Sequence, residues 1–449
     1  MKSIVLHYSF FGVGGVERVM AFQSRLFAGM GVKVALLLDR EPAADSLAML
    51  PPGVDVVTLP SGRKAREAAI RREVSSRSAE IFYEHAFQMI MDPRSPAHLD
   101  MLFVKDVLGL GYFLHWHSHA ATPFSDCADP GLAVTLKTVF APRVDGMCVL
   151  SRASEIYFRS FGLKAAYAPN RIESGSSGDP SPRFGCNVLW VGRFADGKRP
   201  FDAIRAFSVF RRGRPEAKLV MVGGGELLEP ARRLAHRLGL GDSVEFPGMR
   251  LDTGGFYANS SVYLSTSGFE GFSVAFMEAM SYALPVVSCE LSYHEPSRDN
   301  AGVSNARLGD VEGLAAALDA VTASEEVWRK MSRASLARYR ELQSFDQEGF
   351  YRDFLSGKIP QSGTAFSVED ARAIEQMMFD AWCEREDRIM SIVRPLRAFV
   401  AIGSFFAGVV RIFCRTAGAK AAWRRRRRAR KLLDGALEAC RRRGKRNES

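Results

Sequence analysis

Cysteine is scarce and scattered in this chain. The seven residues, at 127, 148, 186, 289, 383, 414 and 440, are odd in number and widely spaced, and no Cys-x-x-Cys pair occurs. This excludes a disulfide-stapled miniprotein and reads as reduced thiols in a cytosolic protein. A long apolar run is also missing. The most apolar stretch, Ile392 to Cys414, is broken by Arg394, Arg397 and Arg411, and its longest charge-free run is the 13 residues Ala398–Val410. A membrane-spanning helix needs about 20. The opening residues, Met1 to His7, hold one Lys and three consecutive apolar residues, which reads as a first strand rather than a secretory leader. There is no short-period repeat. With 47% hydrophobic and 25% charged residues, the composition excludes disordered and collagen-like chains.

The 449 residues suggest two or three domains, each able to bury a full core. The formal net charge is +11, but it is unevenly placed. Residues 391–449 hold 17 of the 61 basic and 3 of the 50 acidic side chains, a net of +14, which leaves residues 1–390 at −3. The body is nearly neutral and the basicity is an appendage.

The body reads as α/β. Ile4–Leu6 is apolar, Phe11–Gly15 is a turn, Val16–Met30 has helical spacing with Val19, Phe22, Leu26 and Phe27 on one face, and Gly31 sits where a helix would stop. Val32–Leu38 is a continuous apolar strand. More follow at 54–59, 113–115 and 146–150. A linker-like stretch from Glu173 to Arg183 precedes a restart, with strands at 188–191, 219–222, 244–246, 262–264 and 285–288. Continuous apolar strands alternating with helices predict parallel sheets covered on both faces. The expected domains are 1–172 and 183–355, each Rossmann-like and doubly wound, with a cleft between them. A helical, basic, amphipathic extension follows over 366–449. A cut after Gly363 is expected to leave a soluble two-domain protein.

A nucleotide-dependent dehydrogenase would need Gly-x-Gly-x-x-Gly after a strand. The first turn has Glu17 where the third Gly belongs, and Gly223–Leu228 also fails. Both turns still allow backbone N–H groups to approach a phosphate or sugar at a helix N-terminus. In the second domain, Arg193 and Lys198 follow a strand and flank a helix start, a pairing suited to a diphosphate. Glu270 and Glu278 lie eight residues apart, about 12 Å along a continuous helix. That separation suits two ends of one extended ligand better than an acid/base pair.

These residues carry a family resemblance. The chain resembles the retaining glycosyltransferases of the GT-B fold, specifically the large family 4. The resemblance rests on Gly14-Gly15-Val16-Glu17-Arg18, on Arg193 with Lys198, on Glu270 with Glu278, on Ala279-Met280 through Leu284-Pro285-Val286-Val287, and on Pro169-Asn170. It covers roughly residues 1–355. It implies that Gly14 and Gly15 contact a nucleotide-diphosphate sugar donor from the first domain. Arg193 and Lys198 would stabilise the leaving diphosphate, Glu278 would hold the ribose, and Glu270 with Gly271, Phe272 and Ser273 would hold the transferred sugar. The family's active-site histidine best matches His117, with His119 second. His115, His117 and His119 would share one side of a strand, and a metal site is the alternative reading of that trio. The chain has no Asp-x-Asp, which fits a metal-independent site with no cofactor.

The sequence departs from the family pattern at Arg171 and Ala283, where Gly is common. Cys289–Arg298 also fits only loosely the loop that contacts the donor sugar.

In the tail, Arg394, Arg397, Arg411 and Arg415 share one arc of a helical wheel with small residues, and Phe399, Ile402, Phe405, Phe406, Val409, Val410 and Phe413 fill the rest. This is the pattern of an in-plane interfacial helix. With Arg424–Arg428, Arg430 and Lys431, it predicts an anionic membrane surface as partner of residues 391–431. Nucleic acid is the weaker alternative, because it cannot bury the apolar face. Residues 61–78 add a smaller basic patch, Arg63, Lys64, Arg66, Arg71, Arg72 and Arg77. The functional expectation is a cytoplasmic transferase, peripheral on the inner face of the cell membrane. It would move a sugar to a lipid-linked or polysaccharide acceptor in cell-envelope glycan synthesis, such as lipopolysaccharide or capsule. The alternative is a tethered sugar-nucleotide-binding or scaffold protein without transfer.

Overall fold

The computed structural model describes residues 2–86, 95–118, 132–173, 183–360 and 367–378. They belong to one compact unit, Met1–Cys383, whereas Glu384–Ser449 form a second. His119 and the interfacial helix expected over 391–431 lie outside the described residues.

The first sheet has seven parallel strands: β1 (Ser3–Tyr8), β2 (Lys33–Leu38), β3 (Asp55–Thr58), β4 (Ile81–Ala86), β5 (Gly111–Trp116), β6 (Gly146–Val149) and β7 (Ala165–Tyr167). Their spatial order is β3-β2-β1-β4-β5-β6-β7. The second sheet has six: β8 (Asn187–Val191), β9 (Lys218–Val222), β10 (Val244–Gly248), β11 (Val262–Ser265), β12 (Val286–Cys289) and β13 (Val303–Ala306), ordered β10-β9-β8-β11-β12-β13. Two doubly wound α/β domains are therefore present, as the alternation of apolar strands and helices requires. In each sheet the winding reverses beside the first strand, between β1 and β4 and between β8 and β11. Loops leaving the carboxyl ends of strands at such a point form ligand crevices.

Three strands escape the apolar-run reading. β4, Ile81-Phe82-Tyr83-Glu84-His85-Ala86, is wholly buried but carries a carboxylate and an imidazole. β7 has three residues, and β13, Val303-Ser304-Asn305-Ala306, is polar at its two central positions.

The principal helices are α1 (Gly15–Gly29), α2 (Arg63–Arg77), α3 (Arg152–Ser160), α4 (Pro200–Phe210), α5 (Leu228–Arg237), α6 (Val274–Ser281), α7 (Val311–Val321), α8 (Glu325–Gln343), α9 (Gln347–Leu355) and α10 (368–378). Gly31 takes a left-handed φ of +77°, which ends α1 without the Cβ penalty. Ala283 takes the same region, φ +55°, which costs roughly 1–2 kcal/mol for a residue with a Cβ. That is the physical reason Gly is common there.

Four buried clusters cover the faces of the two sheets. The C-terminal helices cross back to the first domain. Phe350, Tyr351 and Phe354 of α9 pack with Ile4, Leu6 and Phe27 on one face of the first sheet. Ala373 and Met377 of α10, both fully buried, join Leu136, Met147 and Tyr157 on the other. A cut after Gly363 would strip α10 from that core, contrary to the expectation of a clean junction there. The basic patch on α2 is also smaller than its composition suggests. Arg66 is buried against Asp39 and Asp100, Arg63 pairs with Glu67 and Asp100, and Arg77 pairs with Glu73 and Asp55. Lys64, Arg71 and Arg72 are the exposed cations.

Candidate active site

The glycine turn after β1 meets the glutamate motif after β11. Gly12-Val13-Gly14 leads into α1 from Gly15, so the first turn of α1 faces the second domain. A Cβ on Gly15 would stand 3.0 Å from Val274 Cγ2 at the start of α6, so glycine permits this approach. A Cβ on Gly14 would lie 2.7 Å from Glu17 Oε2. Glu17 itself folds back and accepts from the Gly12 amide at 3.2 Å. Its pKa is raised, chiefly by burial.

One residue further, Arg18 crosses the cleft and forms an ion pair with Glu278. Its other nitrogen donates to the Leu251 carbonyl at 3.1 Å. Tyr257 donates to the second Glu278 oxygen at 2.9 Å. The Glu278 carboxylate, 8% exposed, is thus held from both domains. These groups line an interdomain cleft of about 570 Å³, together with Arg25, Arg171 and Tyr282.

The other end of the site is built on the β8 and β11 loops. The turn after β8 puts Arg193 on the surface and Lys198 in a short 3₁₀ turn, Asp196–Lys198, ahead of α4. Lys198 Nζ lies 2.5 Å from Glu270 Oε1. Burial alone would raise the Glu270 pKa, but Lys198, and behind it His294, hold it below the usual carboxylate range. Glu270 stays ionised. Gly197 and Gly268 bring the two loops together through an amide-to-carbonyl bond of 2.9 Å.

Glu270 is not on a helix. α6 begins at Val274, after Ser273 with φ +48°. The two glutamates therefore do not share one helical axis, and Glu270 is aimed by a bent loop through Gly271 and the buried Phe272. A Cβ on Gly271 would stand 2.3 Å from the His117 carbonyl oxygen, so this loop too is pressed against the first domain.

His117 follows β5 and is buried. Beside it lie His115 on the same strand and His85 on β4, directly paired in register with His115. The rings form a stack. His115 and His117 have centroids 4.3 Å apart and planes within 3°. His85 Nδ1 is 2.9 Å from His117 Nε2. Burial holds all three imidazoles neutral, with His115 at about 3 and the other two well below 6.5. Gln23 Nε2 donates to His115 Nδ1 at 3.0 Å and to the Tyr351 hydroxyl at 2.5 Å.

These three histidines are the group among the described residues whose ligand atoms could hold a metal ion, lying within 4.8 Å of one another. Parallel planes send ring lone pairs past one another, and the 85–117 contact consumes two of the nitrogens. The stack as arranged suits hydrogen bonding better than chelation.

Reading residue types alone missed Arg18 as a partner of Glu278, and it missed Tyr257, His85, Gln23 and His294. Arg18 stood within the quoted Gly-Gly-x-Glu-Arg motif. Gln23-Ser24 interrupts the apolar face of α1, a signal that some buried polar partner waits opposite.

Residues 187–336 match the family model described as Glycosyl transferases group 1. The chain is 29% identical over 155 residues to the poly(glycerol-phosphate) alpha-glucosyltransferase of Bacillus subtilis, covering 34% of this chain and 23% of that one. It is 28% identical over 172 residues to the Vi polysaccharide biosynthesis protein VipC/TviE of Salmonella typhi, covering 37% and 28%. The chain spans between 21% and 42% of the length of the curated relatives it matches. Among solved structures, the pneumococcal O-GlcNAc transferase GtfA in complex with UDP and GlcNAc superposes with a TM-score of 0.65 at 10% identity, over 80% of this chain and 99% of that one. That likeness shows the GT-B-like fold.

Proposed function

We propose that this chain is a retaining, metal-independent glycosyltransferase of family 4 that moves a sugar from a nucleotide-diphosphate donor to a lipid-linked or polysaccharide acceptor. The observation that carries this reading is the convergence of the first-domain glycine turn and the second-domain glutamate motif on one cleft, with Arg18 and Tyr257 on Glu278 and Lys198 on Glu270. The family match over the second domain and relatives named for glycan synthesis support it.

In this reading Glu278 takes the ribose hydroxyls, in place of the Arg18 guanidinium that now occupies it. Lys198 and Arg193 face the diphosphate and stabilise the charge that gathers there as the anomeric C–O bond breaks and its electron pair leaves with the diphosphate. The acceptor hydroxyl attacks from the departing side, and its proton passes to a diphosphate oxygen. Gly14 and Gly15 admit the donor's phosphates to the α1 N-terminus. Glu270 and the 271–273 backbone hold the sugar. The neutral His117 accepts or donates one hydrogen bond at the reacting end. No cofactor is required. Work at the cytoplasmic face of an envelope membrane follows from the basic extension at 391–431, through attraction to anionic lipid. Among the described residues no helix is long and apolar enough to cross a membrane.

Glu278→Ala and Lys198→Ala should each lower transfer from nucleotide sugar by at least about 100-fold, the scale of losing one preorganised charge contact. Radiolabelled sugar transfer to membrane fractions measures it. Full activity in both variants would sink the assignment. Donor binding without transfer in the unaltered protein would favour a binding protein instead.

A further inference from the structure

Taking Glu278 as the ribose ligand of the transferase reading above, we infer that Arg18 is an occluding group. It covers the carboxylate that the donor needs, and guanidinium and ribose bind Glu278 in competition. Donor entry is thereby gated by one exchangeable ion pair, and the competitor is supplied by the opposite domain.

Three arginines line the cleft, Arg18, Arg25 and Arg171, and they are held differently. Arg25 lies seven residues beyond Arg18, about 10 Å further along α1. It is fastened at the linker end of the cleft, where it pairs with Glu173 and donates to the Met49 carbonyl at 2.8 Å. Arg171 donates to the Gln343 carbonyl at 3.3 Å. Among the described residues, Arg18 alone of the three forms an ion pair with Glu278, and it also donates to the Leu251 carbonyl. One guanidinium therefore joins α1 to two separate elements of the second domain, α6 and the loop after β10.

The two groups that grip Glu278 differ in how easily they leave. Tyr257 is 1% exposed. Its ring stacks on Tyr282, with centroids 5.6 Å apart and planes at 17°, and its hydroxyl also lies 3.2 Å from the Ala275 carbonyl. It is fixed by packing on its own domain. The Arg18 side chain is 32% exposed, and that of Glu278 keeps 11%. An ion pair this open contributes little, because water screens it and a long side chain loses rotamer freedom to hold it. A vicinal diol arriving at Glu278 therefore displaces Arg18 rather than Tyr257. Two hydroxyl hydrogen bonds to the carboxylate replace the guanidinium, which swings into solvent on its own stem. A ligand whose site is covered part of the time binds with an affinity reduced by the uncovered fraction. Removing the cover restores that factor.

The test is equilibrium binding of UDP, GDP and ADP to the full chain in about 0.3 M salt. Charges further apart than about 6 Å are largely screened there, so loss of a cation does not by itself weaken a diphosphate. For whichever probe binds, Arg18→Gln should bind it about three- to tenfold tighter, which corresponds to Glu278 being covered for about two thirds to nine tenths of the time. Arg18→Met should show the same gain. In a Glu278→Ala background, Arg18→Gln should change affinity less than about twofold, because nothing is left to compete for. Weaker or unchanged binding in the Arg18 variants would overturn the inference. So would an equal gain in the Glu278→Ala background, which would mean that Arg18 acts on the fold and not on Glu278. Glu278→Ala alone should weaken every probe that binds. If it does not, or if the unaltered protein binds none of the three, the transferase reading fails first and the inference falls with it.

Discussion

The two faces of the first sheet both bury histidine, and they treat it in opposite ways. On one face His7 lies 2.7 Å from Glu84 and 2.9 Å from Asp39, and Arg66 joins Asp39 and Asp100 to the same network. Burial alone would lower the His7 pKa, but Glu84 and Asp39 overcome it and raise the value to about 10. On the other face His85, His115 and His117 have no carboxylate among their described partners and are held neutral. Depth does not fix the charge of an imidazole. The choice between a carboxylate and another neutral ring as neighbour does. The charged network fastens α2 to the ends of β1, β2 and β4. The neutral stack ends at His117, whose backbone carbonyl faces Gly271 of the second domain.

The harshest way to break this contrast is Asp100→Ala. Asp100 is fully buried and accepts from Arg66 Nε at 2.7 Å. Removing it leaves the buried guanidinium with Asp39 as its one remaining carboxylate and should lower unfolding free energy by about 3 kcal/mol, the lower end for breaking a buried ion pair, read by urea denaturation. On the neutral face, Gln23→Leu leaves His115 Nδ1 and the Tyr351 hydroxyl short of a donor and should cost about 1–3 kcal/mol in the same experiment.

The pH dependence sharpens the contrast further. The neutral stack has folded pKa values below the unfolded value near 6.5, so the unfolded chain binds protons that the folded chain refuses. Stability should therefore fall as pH drops from about 6.5 toward 4. His115→Phe should reduce that slope by about 1.4 kcal/mol per pH unit, one proton's worth. His7 behaves inversely. Its contribution is complete below about 6.5 and is lost as pH rises through about 10, so His7→Gln should flatten the alkaline limb alone. Equal slopes in His115→Phe and the unaltered protein would mean that the stack is protonated in the folded state.

Much of the architecture was legible because apolar runs dictate it. Val34–Leu38, Val188–Val191 and Val286-Val287 are strands that any core would claim. β4 was not legible, for the same reason that it matters. Its Glu84 and His85 each need a partner that no local pattern reveals: His7 is 77 residues away, and His117 is 32. Lys198 and Glu270 were readable as site residues from their motifs, yet their pairing with each other was not, nor was the bend at Ser273, because a left-handed serine has no sequence signature. Arg18 reaches Glu278 only because the two domains meet there. The start of the extension read as polar helix, and only the tertiary fold shows that Ala373 and Met377 are core.

The return of α9 and α10 to the first domain sets an order of events during synthesis. The first sheet is finished in sequence at Tyr167, but both of its faces are sealed by side chains that lie beyond residue 350. A ribosome adding about 5–20 residues per second needs on the order of 10–40 s to deliver the intervening second domain and the two helices. For that interval the nascent first domain carries an open apolar seam around Phe27 and another around Phe140. Its maturation is therefore tied to the completion of its neighbour, and the two halves reach their working state together or not at all.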